Sequence, residues 1–161
     1  MGLLRSWNGS DSERGANKAL GSNRAFRLES KGRAMNLQKL RDNVEWLKKQ
    51  LGAGLMASDI WSDVGLSLAG YNEQPEAVAL FNEVTRYLRR AVDESGGAFP
   101  KLGRYYMVEL EGKRLILILM AGELQLGILI DGTQSSLGVL VSVILQGAIK
   151  RLQEASEAGE E

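Results

Sequence analysis

The most regular hydrophobic pattern of the chain lies in residues 104–131. Residues 105–110 follow the period of two that is expected of a β-strand. Residues 115–120 are apolar at every position, which is typical of a strand covered on both faces. Alternation returns over residues 124–130, and a glycine stands in each of the two intervening turns. The pattern predicts three consecutive antiparallel strands.

Three other segments carry apolar residues at the three- and four-residue spacing of an amphipathic α-helix. They cover residues 36–51, 75–95 and 134–154. Asn36 is suited to cap the first helix, and Pro75 to the first turn of the second. The buried face of the third is assigned to Leu137, Leu140, Val141, Ile144, Leu145, Ala148, Ile149 and Leu152.

Residues 55–71 are predicted to form a β-hairpin. Its strands are assigned to residues 55–61 and 65–71, with the turn at Ser62 and Asp63. The predicted order is therefore helix, strand, strand, helix, three strands, helix.

This order predicts an α+β fold, in which one five-stranded antiparallel sheet has helices on both faces. The first and last helices are expected to share one face and the middle helix to cover the other. The apolar stripe of the middle helix is wider than one sheet face needs, which favours a second partner such as another chain. Phe81, Val84 and Leu88 are expected to face the sheet, and Ala77, Leu80, Tyr87 and Ala91 to face elsewhere.

The chain has no cysteine and no histidine, so thiol nucleophiles, Ser-His-Asp triads and nearly all zinc sites are excluded. Its formal net charge is zero, but residues 35–161 carry thirteen basic and seventeen acidic residues. This acidic balance argues against nucleic acid as a partner, because nucleic-acid-binding surfaces are basic. No catalytic residue, metal ligand or cofactor is assigned.

Composition divides the chain into three parts. Residues 1–34 are rich in Gly, Ser, Asn and Arg without a clear period, and we interpret them as a disordered leader. Residues 35–155 are the folded domain, and residues 156–161 an acidic tail. The apolar runs are far shorter than the roughly 20 residues of a spanning helix, and residues 1–34 lack the apolar region of a secretory signal. A cytoplasmic location is therefore expected.

The sequence contains no nucleotide-binding motif in its required context. Residues 52–57, Gly-Ala-Gly-Leu-Met-Ala, match the dinucleotide fingerprint, but they follow a helix and open a strand, which is the reverse of the context it requires. They are interpreted as a helix stop. The chain has no Gly-x-x-x-x-Gly-Lys-Ser/Thr motif, so it is not itself a P-loop GTPase.

Two patterns, together with the element order, carry a resemblance to a known family. Residues 108–115 read Val-Glu-Leu-Glu-Gly-Lys-Arg-Leu, and residues 124–130 read Leu-Gln-Leu-Gly-Ile-Leu-Ile before a helix that contains Leu137-Gly138. Over residues 36–155 the chain resembles the roadblock/dynein light chain family, most of all its prokaryotic members that accompany a small Ras-like GTPase. The first hairpin departs from the family's usual Asp-x-x-Gly turn, with Asp63-Val64-Gly65 in its place.

The resemblance implies a profilin-like fold and a homodimer, in which the middle helices pack side by side and the third strands pair into one continuous sheet. Carried onto this chain, the dimer interface comprises Ala77, Leu80, Val84, Tyr87, Ala91, Arg104, Tyr105, Met107 and Glu109. The resemblance also implies binding to a small Ras-like GTPase.

Arg86, Arg89 and Arg90 on the middle helix, together with Trp61, are candidates for the partner-binding surface. The alternative interpretation is that the arginines form a solvated face with acidic neighbours three or four residues away, and that Trp61 lies in the core.

The sequence thus predicts a non-enzymatic dimeric module that binds and regulates a small Ras-like GTPase. Two alternatives stay open. A small-molecule sensor would need an internal pocket with convergent polar groups, and a purely structural dimerisation subunit would have neither pocket nor GTPase partner.

Overall fold

A computed structural model describes residues 35–157, and its helices and strands follow the predicted order. The principal elements are α1 (Leu37–Leu51), β1 (Leu55–Ser62), β2 (Ser67–Tyr71), α2 (Pro75–Asp93), β3 (Tyr105–Leu110), β4 (Arg114–Ala121), β5 (Leu124–Asp131), α3 (Leu137–Val139) and α4 (Gln146–Glu157). A short 3₁₀ turn, Gly52–Gly54, joins α1 to β1, and the π-helical segment Leu140–Leu145 joins α3 to α4. The leader assigned to residues 1–34 and residues 158–161 of the tail lie outside the described residues.

The last helix differs from its prediction at both ends. It begins at Leu137 because the Ser136 hydroxyl caps it, accepting a hydrogen bond from the Val139 amide over 3.2 Å. Gln134, the predicted start, instead lies in the turn after β5, where its N–H bonds the Asp131 carbonyl. The helix continues to Glu157, so the first two residues assigned to the tail are helical.

The five strands form one antiparallel sheet in the order β2-β1-β5-β4-β3. β5 is therefore the central strand, and β2 and β3 are the edges. The predicted first hairpin forms, but β2 begins at Ser67 because the turn is longer than expected. Residues 63–66 make this turn, and Gly65 adopts the positive φ (82°) that favours glycine.

The two faces of the sheet are covered unequally. α1 and the last helix lie on one face and bury the larger core, which includes Leu40, Leu47, Leu126, Ile144 and Ala148. α2 lies on the other face over a smaller core of Trp61, Val78, Phe81, Ile116 and Ile118. The distribution of helices confirms the prediction.

Trp61 lies beneath α2 and is only 2% exposed. Gly127, in the central strand, makes room for its ring, since a Cβ atom at Gly127 would lie 2.8 Å from Trp61 Cζ3. The prediction that Trp61 contacts a partner is therefore wrong, because its side chain is not at the surface.

Buried amides connect α2 to the sheet. Gln125 Nε2 donates to Asn82 Oδ1 over 2.8 Å, and Asn82 Nδ2 donates to the Asp63 carbonyl over 3.2 Å. Asn82 therefore joins the middle of α2 both to β5 and to the turn of the first hairpin. Buried hydrogen bonds of this kind set the position of the helix as well as stabilising it.

Asp59 is a buried carboxyl group on β1, 7% exposed. Its Oδ1 accepts a hydrogen bond from the Ser67 hydroxyl, and its Oδ2 has no hydrogen-bond partner among the described residues. Burial raises the pKa of Asp59, the Ser67 hydroxyl lowers it, and the nearby Glu73 carboxylate raises it again. The sum of these effects raises the pKa of Asp59 above its ordinary value.

We expect Gly127→Ala to lower the free energy of unfolding by about 1–3 kcal/mol, because the new methyl group would overlap the Trp61 ring. Gly138→Ala is the matched control: a Cβ atom there meets nothing within 4 Å, and alanine favours the helix by up to about 1 kcal/mol. Urea denaturation followed by tryptophan fluorescence measures both. Equal stability of the two variants would contradict the packing of Trp61 on Gly127.

We expect Asp59→Asn to raise the free energy of unfolding at pH 7 but not near pH 3. The pKa of Asp59 is raised above its ordinary value of 3.8, so the folded chain holds the proton more tightly than the unfolded chain. The stability from this proton is present below pH 3.8 and is lost as the pH rises through the raised pKa. Asparagine carries no charge and avoids this loss.

Urea titrations of the wild type and the variant at both pH values measure the difference. Asp63→Asn, which changes an exposed carboxylate four residues away, is the control and should show no comparable dependence on pH. A loss of stability in Asp59→Asn that is equal at both pH values would contradict the prediction.

Candidate interaction surface

One flank of α2 carries the apolar residues that the sequence assigned to a dimer interface, here called the α2 stripe: Ala77, Leu80, Val84, Tyr87 and Ala91. Their spacing of three and four residues places them along one side of the helix. Ala77 and Val84 are half-buried against the smaller core, whereas Leu80 is 58% and Tyr87 70% exposed. Ala91 is exposed near the end of the helix. One edge of the stripe, with Ala77 and Val84, therefore packs on the core, and the other edge, with Leu80 and Tyr87, is exposed to solvent.

The α2 stripe faces the β3 side of the sheet. Ala77 lines the same cleft as Leu110 of β3 and Ile116 of β4. The opposite flank of α2 is directed towards the first hairpin, where Asn82 bonds the Asp63 carbonyl. Ile116 and Ile118 of β4 are buried under α2, whereas Leu110 at the end of β3 stays 39% exposed beside the stripe.

β3 is an edge strand that pairs only with β4 in the described part of the chain. Its ladder begins at Arg104, whose carbonyl accepts the Met120 N–H over 2.8 Å. Tyr105 and Met107 are 43% and 39% exposed and, like Leu119 and Leu117 opposite them, point to the face that carries α1. Glu109 is exposed on the same side. An unpaired edge with large apolar side chains is a template for pairing with another strand.

Tyr106 joins the edge strand to α2. Its hydroxyl lies 2.8 Å from Thr85 Oγ1 and donates to the Phe81 carbonyl over 3.4 Å. Burial raises the pKa of Tyr106, with smaller opposing effects from Thr85 and from the charge of Arg89. Because this contact holds α2 at a set distance from β3, the α2 stripe and the β3 edge belong to one surface.

The side chains of the three candidate arginines do not all lie on the same side of α2. Arg86 is exposed and forms an ion pair of 2.9 Å with Glu83, one turn earlier on the outer side of α2. Arg90 is exposed on the same side, four residues further. Arg89 is half-buried, and its charge slightly lowers the pKa of Tyr106. It lies two turns after Asn82 and therefore on a different side of α2 from Arg86 and Arg90.

A second exposed apolar region lies at the start of the last helix and comprises Leu137, Val139, Val141 and Val143. The assignment of Leu137 and Val141 to the buried face is therefore wrong. Residues 140–145 form a π-helix, whose wider turn changes the angle between successive side chains. A prediction that assumes the α-helical period throughout this segment therefore assigns the wrong residues to the buried face.

Within residues 35–157, no three acidic side chains come close enough together to hold a metal ion. No helix in this range is long and apolar enough to cross a membrane.

Comparison with solved structures relates this geometry to known proteins. Myxococcus xanthus MglB matches with a TM-score of 0.66 and 14% identity, over 78% of this chain and 93% of that one. The gliding protein MglB of Thermus thermophilus matches with a TM-score of 0.59 and 16% identity, over 76% and 91%. A roadblock/LC7 domain from Streptomyces avermitilis matches with a TM-score of 0.53 and 14% identity, over 70% and 93%.

The chain has the roadblock/LC7 fold. This likeness includes the MglB proteins and confirms the predicted fold class. No protein-family model matches the sequence, and no curated protein matches it. At 14–16% identity the likeness is one of fold.

Proposed function

We propose that this roadblock/LC7 domain is a non-enzymatic homodimer that binds and regulates a small Ras-like GTPase in the cytoplasm. The observation that carries the proposal is the single surface formed by the α2 stripe and the β3 edge. The GTPase as partner comes from the resemblance to the prokaryotic members of the family, and the likeness to MglB supports it.

A two-fold axis at the β3 edge would use both parts of this surface at once. Antiparallel pairing of β3 with its copy would continue the sheet and satisfy the backbone groups of the open edge. The same axis would bring the two α2 stripes together, because each stripe faces its own β3 edge. A self-complementary surface of this kind is what a two-fold dimer requires.

Such a dimer buries Leu80 and Tyr87 and leaves the outer side of each α2 exposed. That side carries Glu83, Arg86 and Arg90 in this chain. Two such helices, side by side, would present a composite charged surface to a GTPase. Charges at an exposed interface act mainly on association rate and partner choice.

Regulation in this proposal acts through contact with the GTPase rather than through chemistry on this chain. Tyr106, Asp59 and Asp131 are the described groups with a shifted pKa, and none of them forms a nucleophile–base pair. Asp131 has its pKa lowered by hydrogen bonds from the Thr133 hydroxyl and amide, which are local to the turn after β5.

We expect Leu80→Asp and Tyr87→Asp each to convert the dimer to monomers. A carboxylate in the packed α2 stripe would lose its hydration without gaining a partner, which should weaken self-association by about 100-fold or more. Sedimentation equilibrium of residues 35–161 over a range of concentrations measures the mass. Ala79→Asp, which adds the same charge at an adjacent exposed position on the outer side of α2, is the control and should stay dimeric.

A monomeric wild type, or a dimeric mass in both stripe variants, would contradict the proposed dimer. Circular dichroism of each variant separates loss of association from loss of folding.

We expect the dimer to bind one nucleotide state of a Ras-like GTPase from the same genome more tightly than the other. Charge reversal of Arg86 and Arg90 to Glu should weaken this binding by about tenfold, because both side chains lie on the outer side of α2. Interferometry with GTPase loaded with GDP or with a non-hydrolysable GTP analogue measures the affinity. The control is that the mass of the double variant stays dimeric.

If the wild-type dimer binds no GTPase in either nucleotide state, the proposed partner class is wrong. That result would not contradict the proposed dimer.

A further inference from the structure

A cavity of about 260 Å³ lies between the first half of α2 and the sheet, and the function proposed above does not use it. Its walls are mostly apolar and include Val78, Phe81, Ile116 and Leu129. Ala57, Asp59 and Trp61, which alternate along one face of β1, also line it. An apolar cavity with a small number of polar groups is the usual form of a small-molecule site.

The buried ionisable group of this cavity is the Asp59 carboxyl group; the other polar residues in its lining are the buried Ser58 and the exposed Asn72, Gln74 and Arg114. Its side chain is 7% exposed and lies on the same face of β1 as Ala57 and Trp61. The Ser67 hydroxyl donates to Oδ1, while Oδ2 has no partner within hydrogen-bond geometry among residues 35–157. The backbone amides of Gln74 and Ile60 lie close enough to lower the pKa of Asp59, but burial outweighs them. A buried carboxylate oxygen without a partner is costly for the fold, so a ligand that donates a hydrogen bond to Oδ2 would relieve that cost.

A second carboxylate gives this end of the cavity a negative character. Gly70 pairs with Asp59 across β1 and β2, and a Cβ atom at Gly70 would lie 2.5 Å from Glu73 Cγ. The Glu73 side chain therefore lies across Gly70, close enough for its charge to raise the pKa of Asp59. No ion pair among the described residues involves either carboxylate.

We propose that the cavity binds a small organic amine, whose ammonium group donates to Asp59 Oδ2 and whose apolar body fills the space beneath α2. The volume sets the size of the ligand. A cavity of about 150 Å³ admits benzene, so 260 Å³ has room for an aromatic ring with a short aminoalkyl chain.

The surroundings favour an ammonium ion over a metal cation. Calcium takes six to eight oxygen ligands and magnesium requires six in octahedral geometry. The described residues bring no group of three acidic side chains together, and the cavity walls are mostly apolar, with Arg114 adding a positive rather than a negative charge to the lining. An alkylammonium ion needs only a few acceptors and uses the apolar walls for its carbon atoms.

The proposal does not depend on the GTPase, and every residue that it uses belongs to one chain. Ala77 lines the cavity and also belongs to the α2 stripe, so the proposed dimer would border the cavity. Amine binding does not require the dimer, and the absence of amine binding does not contradict the dimer.

The experiment is calorimetric titration of the full chain at neutral pH with 2-phenylethylamine. We expect saturable binding with a dissociation constant of roughly 10 μM to 1 mM, which is the range for a ligand of this size. 2-Phenylethanol and 3-phenylpropionate share the ring and should bind at least about tenfold more weakly, because neither forms an ionic hydrogen bond with a carboxylate.

Two variants locate the ligand. Asp59→Asn should weaken amine binding by about tenfold or more, whereas Asp63→Asn makes the same change of charge on the exposed turn and should leave it unaltered. Ala57→Leu, which fills the cavity from the same face of β1, should abolish binding while Asp59 is retained. A urea titration of each variant confirms that it is folded.

Four results would each overturn the proposal. They are the absence of saturable amine binding, equal affinity for the amine and the alcohol, wild-type affinity in folded Asp59→Asn, and displacement of the amine by millimolar Mg²⁺ or Ca²⁺.

Discussion

One α-helix is too narrow to cover a face of a five-stranded sheet, and the exposed apolar residues around α2 follow from this difference in width. Five strands about 4.8 Å apart span roughly 19–24 Å, whereas an α-helix with its side chains is about 10–12 Å wide. Two helices cover the face that carries α1, so its core is extensive. α2 alone covers the other face, where the core is smaller and Leu110 of β3 stays 39% exposed. Ala77 of the α2 stripe and Leu110 of the β3 edge both line the cavity on this face.

Polar contacts determine where α2 lies on its face of the sheet. Asn82 bonds Gln125 and the turn of the first hairpin, and Thr85 bonds Tyr106 on the edge strand. The helix is therefore held from both sides. A purely apolar contact between a helix and a sheet allows sliding, whereas paired buried amides and hydroxyls permit one arrangement. The direction of the α2 stripe towards β3 follows from this arrangement.

The same face contains Asp59, a carboxyl group that opposes folding when it is charged. Among the described residues Asp59 forms no ion pair. The burial of an unpaired carboxylate is unfavourable for stability, and groups with a strongly perturbed pKa often mark a function. In this fold the charge lies at one end of an apolar cavity. A ligand amine would therefore relieve an unfavourable feature of the chain itself.

The sequence by itself determined the element order, the antiparallel meander and the placement of helices on both faces, because periods of two and of three to four residues record which positions are buried. It also indicated the excess width of the α2 stripe. Only the tertiary structure decided whether Trp61 is buried or exposed, since its burial depends on Gly127, which is sixty-six residues away in the sequence. The strand order, the π-helical segment that exposes Val141, and the convergence of Asp59, Glu73 and the α2 residues also depend on tertiary contacts. Local periodicity cannot reveal such features, because they arise between segments that are distant in the chain.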